Sequence, residues 1–290
     1  MTCENQLTAY QGAYGGPLKF NLPMDGRAWN KIELPCGQCI LCRLEHARQW
    51  AVRITHEAQR HKESSFITLT YDDKHVPEHM SLAYKRDMQP CWKRLRKEYG
   101  KIAYYAVGEY GDKTQRPHYH ACVFGQAFTE RRLILREEPS RLWTNQVLLD
   151  VWGKGHVSVG ALNFQTAQYT ASYVTKKLNN EKRYVRIDQV TGELVEIEQP
   201  RAYMSLKPAI GKTWIESNHQ HVYARDRVVV NGSPQKPPKF YDRWLKEKDE
   251  AKAKETKANR RRRVKRLSKE QTHARARNAH ARAKSKSKSV

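Results

Sequence analysis

Two β-rich runs, KIAYYAVGEYG (101–111) and PHYHACVFG (117–125), are separated only by the polar residues DKTQR. So short a connection joins antiparallel neighbours, because a parallel pair needs a crossover of a dozen residues or more. The chain is therefore expected to be built around a hairpin. Within the second run His118, Tyr119 and His120 alternate. Every second side chain of a strand shares a face, so the two imidazoles project together and can grip one cation. The spacing alone does not decide the matter, since His219-Gln220-His221 repeats it without an evident partner motif. The hairpin adds Glu109, nine residues before His118 on the adjoining run, which pairing brings beside the imidazoles. Two nitrogens and one carboxylate suit Mn²⁺ or Mg²⁺, with positions left for phosphate oxygens and water. Read without the histidines, Glu109 is a solvated carboxylate near a turn.

The remaining periodicities place helices and strands around this hairpin. Leu44, Ala47, Ala51, Ile54 and Ala58 recur at helical spacing between Cys42 and His61, and FITLTYDD (66–73) reads as a strand. A helix is expected over 85–98, with Asp87 as N-cap and Pro90 in the first turn. A further helix falls within 129–152, a short strand at GHVSVG (155–160), and another helix over 165–178. Without a regular parallel βαβ rhythm, these elements predict an α+β fold, a central antiparallel β-sheet flanked by helices. Glycines and prolines mark residues 1–35 as a loop-rich arm, 36–240 is read as the main domain, and 241–290 as a basic, partly disordered tail.

On the helix over 165–178, Tyr169 and Tyr173 lie one turn apart with Lys176 or Lys177 on the same face. Aromatic residues at that spacing commonly face a core. The histidine pair gives them a second reading, as nucleophiles. A phenol that attacks a phosphodiester becomes a phosphotyrosine and releases a 3′-hydroxyl, so the bond energy is kept for later rejoining. A free tyrosine has a pKa near ~10, so a nearby cation such as Lys176 helps the phenolate form. A divalent metal would polarise the phosphate.

Charge points to the same partner. Lys and Arg number 54 against 30 Asp and Glu, a net charge of +24, and such a field gathers polyanions before specific contacts form. Residues 246–290 hold 18 Lys and Arg against 5 Asp and Glu. No apolar stretch is long enough to span a membrane, and the N-terminus lacks the apolar core of a secretory signal, so a cytosolic protein is expected.

These motifs, in this order, resemble the replication initiators of the histidine–hydrophobic–histidine (HUH) endonuclease superfamily. FITLTY is similar to the family's first motif, PHYHACVFG to its metal motif and YTASYVTKK to its third, together spanning residues 66–177. Conjugative relaxases of the superfamily place the nucleophile before the histidines, whereas here the tyrosines follow them. Two tyrosines three residues apart resemble the initiators of microviruses, and PCGQCILCR with the basic tail is most similar to the gokushovirus branch.

The resemblance implies a ferredoxin-like or RRM-like core with the histidines on a central strand and the tyrosines on a helix nearby. It implies Tyr169 and Tyr173 as paired nucleophiles and Lys176 as the motif lysine, with His118, His120 and Glu109 holding Mn²⁺ or Mg²⁺. The implied activity is nicking of the replicative form of a circular viral DNA to start rolling-circle replication, in the cytoplasm of a bacterial host and alongside its helicase and polymerase. Thr68 and Thr70 fall in the first motif, where a plain strand role is equally readable. Asp72 and Asp73 follow the strand and read as turn residues or as aids to metal or substrate positioning.

Cys36, Cys39 and Cys42 are spaced C-x₂-C-x₂-C, with His46 four residues further on. Thiolates at this density bind Zn²⁺, with His46 or Cys3 as fourth ligand; otherwise they line the buried side of the following helix as small apolar residues. Two rival functions remain: a non-enzymatic protein that coats nucleic acid, and a metal-dependent nuclease that uses activated water.

Overall fold

The computed structural model describes residues 3–13, 15–130, 132–135, 141–176, 184–188, 190–264 and 267–288, without the side chains of 135, 174–176, 284 and 286–288. The chain divides into two compact units, residues 1–46 with 261–290, and residues 47–260.

In the smaller unit β1 (Leu7–Gly12) and β2 (Trp29–Leu34) pair antiparallel, from Leu7 opposite Leu34 to Gly12 opposite Trp29. The expectation of a loop-rich arm missed this pair. The glycines and prolines behind it, Gly15, Gly16, Pro17, Pro23 and Gly26, sit in the connection between the two strands. Helix α1 (Ile40–Ala58) begins after β2, and the unit boundary falls within it.

The larger unit is organised by one sheet. Strand β3 (Ser64–Tyr71) is followed by a π-helical turn at Tyr84–Met88 that runs into α2 (Gln89–Tyr99). The expected hairpin is present as β4 (Ala103–Tyr110) and β5 (Pro117–Phe124). Short strands β6 (Arg132–Leu135) and β7 (Leu142–Thr144), helix α3 (Gln146–Trp152), strand β8 (Gly155–Ala161) and helix α4 (Phe164–Lys176) follow. After a separate pair, β9 (Val185–Ile187) with β10 (Leu194–Glu196), β11 (Ala202–Met204) returns to the edge of the main sheet. Its seven strands run β11-β4-β5-β3-β8-β7-β6, every neighbouring pair antiparallel. The α+β class with a central antiparallel sheet is thus as the sequence implied, and the histidines lie on an interior strand.

Alternation along the strands gives the sheet two different faces. Ile67, Leu69, Tyr71, Tyr119, Ala121 and Val123 join one core with Trp92 and Leu95 of α2 and Leu148 and Trp152 of α3. Phe66, Tyr105, Val107, Cys122 and Phe124 join a second with Ala51 and Ile54 of α1 and Ala167 and Tyr173 of α4. Each fully buried aliphatic or aromatic side chain here removes apolar surface worth about 1.5–3 kcal/mol from water. Gly108 is required by close packing: a Cβ there would stand 2.9 Å from Leu82 Cδ2 and 3.0 Å from Tyr119 Cε1.

The opposite side of α1 packs, through Val52, against α5 (Lys212–Arg225), the pair β12 (Val228–Val230) and β13 (Ser233–Gln235), and α6 (Lys239–Lys248), around Ile215, Val222, Tyr241 and Trp244. His219 and His221 lie on α5, where residues two apart diverge, so this second H-x-H cannot form a pincer. Helices α7 (Glu250–Arg263) and α8 (Lys269–Lys288) occupy the segment expected to be partly disordered. Its Ala, Lys, Arg and Glu residues are strong helix formers, a tendency that a reading based on charge alone overlooks.

Asp87 does not cap a helix. It lies buried in the π-helical turn, where it accepts the Tyr71 hydroxyl at 2.7 Å and pairs with Arg86 at 2.9 Å and Lys154 at 3.3 Å. The α2 N-cap is Met88, with Pro90 in the first turn as expected.

Candidate metal and nucleophile site

Hairpin register assembles the first half of the site. Glu109 is directly opposite His118, Val107 opposite His120, and on the other side of β5 Thr68 is opposite His120. Glu109, His118 and His120 therefore share the sheet face covered by α4, and their ligand atoms lie within 4.8 Å of one another. The Nε2 atoms of His118 and His120 stand 2.7 and 3.6 Å from Glu109 Oε1. His118 Nδ1 donates to the Arg116 carbonyl at 3.1 Å, and His120 Nδ1 is hydrogen-bonded to the Thr68 hydroxyl at 2.9 Å. The Nδ1 sides of both rings are thereby held, and the Nε2 sides converge on the carboxylate.

This donor set fits a divalent cation. A carbonyl only accepts, so the His118 proton resides on Nδ1 and Nε2 turns its lone pair towards a carboxylate. That arrangement calls for positive charge between them, as imidazolium or as a bound cation. Glu109 Oε2 is buried without a hydrogen-bond partner among the described residues, an orphan that a cation would satisfy. Burial opposes ionisation of Glu109, but hydrogen bonds from His118 and His120 outweigh it and hold the carboxyl below its usual range.

Helix α4 supplies the second half. Its start is fixed reciprocally, Thr166 N–H donating to Asn163 Oδ1 and Asn163 N–H to Thr166 Oγ1, each at 2.9 Å. Buried Ala167, Thr170 and Ala171 are small enough to bring the helix close to the sheet, and the Cys122 thiol donates to Thr170 Oγ1 at 3.7 Å. This close approach seats both tyrosines on the metal face. The Tyr173 ring stacks on His120 at 5.4 Å and 22°, and Tyr169 meets the same imidazole at 5.4 Å and 70°. The two phenol rings are 4.5 Å apart and perpendicular.

They are not equivalent, since Tyr169 is 43% exposed and Tyr173 only 9%. Burial raises the pKa of both above that of a free tyrosine, and the Glu109 charge pushes the same way. Lys176 closes α4, but its side chain, like all of Lys177, lies outside the described residues.

Sequence reading missed Arg116 altogether. Its carbonyl holds His118, and its guanidinium donates to the Tyr71 carbonyl at 2.9 Å and pairs with Asp73, tying the hairpin turn to the end of β3. No spacing rule marks such a residue. Thr68 proves to be more than a strand residue, whereas Asp72 organises the turn, accepting the His75 backbone N–H at 2.9 Å. The cysteine motif lies elsewhere: Cys36, Cys39 and Cys42 are grouped with Cys3, and His46 is not part of the set.

A paired carboxylate and histidines beside a tyrosine helix define a candidate metal-assisted site of the kind that nucleic-acid replication proteins carry. A family model for replication-associated proteins of the ORF2 type matches residues 64–178, from β3 to just past α4. Among curated relatives, replication-associated protein VP4 of Bdellovibrio phage phiMH2K is 34% identical over 243 residues, covering 81% of this chain and 74% of that protein. Replication-associated protein ORF2 of Spiroplasma virus 4 is 31% identical over 253 residues, covering 77% and 75%. Replication-associated protein ORF4 of Chlamydia phage 1 is 29% identical over 229 residues, covering 73% of this chain and 53% of its own length. No solved structure matches. The chain belongs to this family of microvirus replication-associated proteins.

Proposed function

We propose that this protein initiates rolling-circle replication of a circular phage genome, nicking the origin strand by tyrosine transesterification inside the host cell. The observation that carries the reading is the stacking of Tyr173 and Tyr169 on His120 of the Glu109–His118–His120 set. Two elements nearly fifty residues apart in sequence, β5 and α4, bring a phenol and a cation-binding group to one point.

A divalent ion held there, Mn²⁺ or Mg²⁺, would offset charge on the scissile phosphate and lower the cost of forming a phenolate. The residues do the remainder. Exposed Tyr169 receives the phosphodiester, and its phenol oxygen bonds to phosphorus after giving up its proton. The bond to the 3′ oxygen breaks, that oxygen takes a proton, and a 5′-phosphotyrosine is left beside a free 3′-hydroxyl for the host polymerase. Tyr173, one turn further along, is placed for the second transfer that regenerates the origin and releases a circle. Lys176 adds positive charge at the helix end, and host helicase activity separates the strands.

The test is incubation of the full chain and Mn²⁺ with the supercoiled replicative form of the genome that encodes it. Relaxation to a nicked circle with protein attached after denaturation is expected, and both should vanish in His118→Ala. Nicking without attached protein would instead make water the nucleophile. Binding without nicking would support a coating protein.

A further inference from the structure

We propose that Cys3, Cys36, Cys39 and Cys42 form a closed, four-thiolate zinc site that stabilises the smaller unit, independently of the nicking site. The four sulfurs lie within 4.8 Å of one another, and Cys3 Sγ and Cys39 Sγ are 3.9 Å apart. Zinc–sulfur bonds of about 2.3 Å at tetrahedral angles set neighbouring sulfurs about 3.8 Å apart, so the cluster has the size of a single-ion cage. An iron–sulfur cluster would hold its four thiolates further apart, because irons and sulfides stand between them. All four cysteines are free, so no disulfide accounts for the grouping.

Backbone geometry supports thiolates rather than packed thiols. The Cys36 N–H donates to Cys3 Sγ at 3.2 Å, while the N–H groups of Gln38 and Cys39 donate to Cys36 Sγ at 3.4 and 3.2 Å. Several donors aimed at sulfur offset negative charge that a neutral thiol does not carry. The turn between Cys36 and Cys39 passes through Gly37 at φ 78°, a conformation open to glycine and costly to other residues. This sequence position thus permits the loop that brings both sulfurs to one point.

The unit also has little else to hold it together. Among the described residues its buried apolar side chains are Cys3, Ala9, Cys39 and Ala276, none of them large, while Phe20, Leu22 and Met24 are exposed. Units without an adequate apolar core are commonly held by metals or disulfides. A zinc ion bridging residue 3 to the start of α1 closes the intervening chain, and with four protein ligands it has no open position for catalysis.

The test uses the full chain carrying His118→Ala and His120→Ala, so that the other metal set contributes nothing. Elemental analysis after dialysis should find one zinc per chain. Replacement by Co²⁺ should give the intense visible bands and near-ultraviolet thiolate charge transfer of a tetrahedral four-thiolate site. Cys3→Ser should shift those bands and weaken zinc binding at least tenfold, whereas His46→Ala should leave both unchanged. Should the variants fail to fold, the unsubstituted cysteine chain still gives the cobalt spectrum. Absence of zinc with four freely reactive thiols, an iron chromophore, or retention of the unshifted spectrum in Cys3→Ser would each overturn the proposal.

Discussion

Thr68→Val tests whether the first strand positions the metal ligands. The substitution keeps the β-branched shape that suits β3 and removes only the hydroxyl that bonds His120 Nδ1 at 2.9 Å. His120 is 6% exposed, so water is poorly placed to replace that bond. The loss should cost about 1 kcal/mol of folding stability, the usual net worth of one such bond. Its larger effect is on orientation, because the hydroxyl fixes the ring whose Nε2 faces Glu109. Removal of a hydrogen-bond partner behind a metal ligand typically weakens metal binding about 10- to 100-fold, which corresponds to about 1.4–2.7 kcal/mol. Titration of the full chain with Mn²⁺, following the free-ion signal by electron paramagnetic resonance, measures the affinity directly, and a urea melt measures the stability. Unchanged Mn²⁺ affinity in a folded variant would refute the positioning role and leave Thr68 as an ordinary strand residue.

Three further outcomes follow from the packing and charge described above. Gly108→Ala should destabilise the protein by about 1–3 kcal/mol, the usual cost of overpacking, because the new methyl meets Leu82 and Tyr119; an unchanged urea midpoint would contradict the close contact. Burial opposes ionisation of Asp87, yet the bonds from Arg86 and Tyr71 and the charge of Lys154 hold its carboxyl below the usual range. A carboxylate with a depressed folded-state pKa stabilises above its unfolded pKa of about 3.9 and loses that contribution as pH falls through the folded value. Asp87→Asn should therefore lower the melting temperature at pH 7 and lower it progressively less below pH 4, and a pH-independent difference would count against this assignment. Exposed Arg275, Arg277 and Arg282 of α8 are expected to contact phosphates. Replacing all three by Gln should reduce the salt slope of single-strand binding by up to about 2, at about 0.7 per phosphate. An identical slope would remove the tail from the DNA interface.

What could be read from the sequence was whatever local periodicity and short connections determine. The β4–β5 hairpin was legible because five polar residues leave one way to pair two β-rich runs, and that pairing brought Glu109 to His118. The tyrosine helix was legible from i, i+4 spacing, although its β-branched residues argue weakly against a helix. Arg116 and Asp87 were not legible, because their roles depend on Tyr71, a residue of a different strand, and no local pattern encodes such contacts. The same holds for Cys3, thirty-three residues from Cys36, which sequence could only offer as an alternative to His46. Strands of three or four residues, such as β6, β7 and β11, carry too few positions for alternation to show. The decoy at His219 and His221 was resolved only by α5, since the same spacing diverges on a helix.

The central claim is tested most directly by the chemical identity of the bond to DNA. The full chain should be incubated with Mn²⁺ and the supercoiled replicative form, digested with nuclease and protease, and the peptide containing residues 164–176 analysed by mass spectrometry. A nucleotide mass on Tyr169 or Tyr173, absent from the Tyr169→Phe, Tyr173→Phe double variant, is the predicted result. Nicked DNA with both tyrosines unmodified, or nicking undiminished in the double variant, would contradict a tyrosine nucleophile.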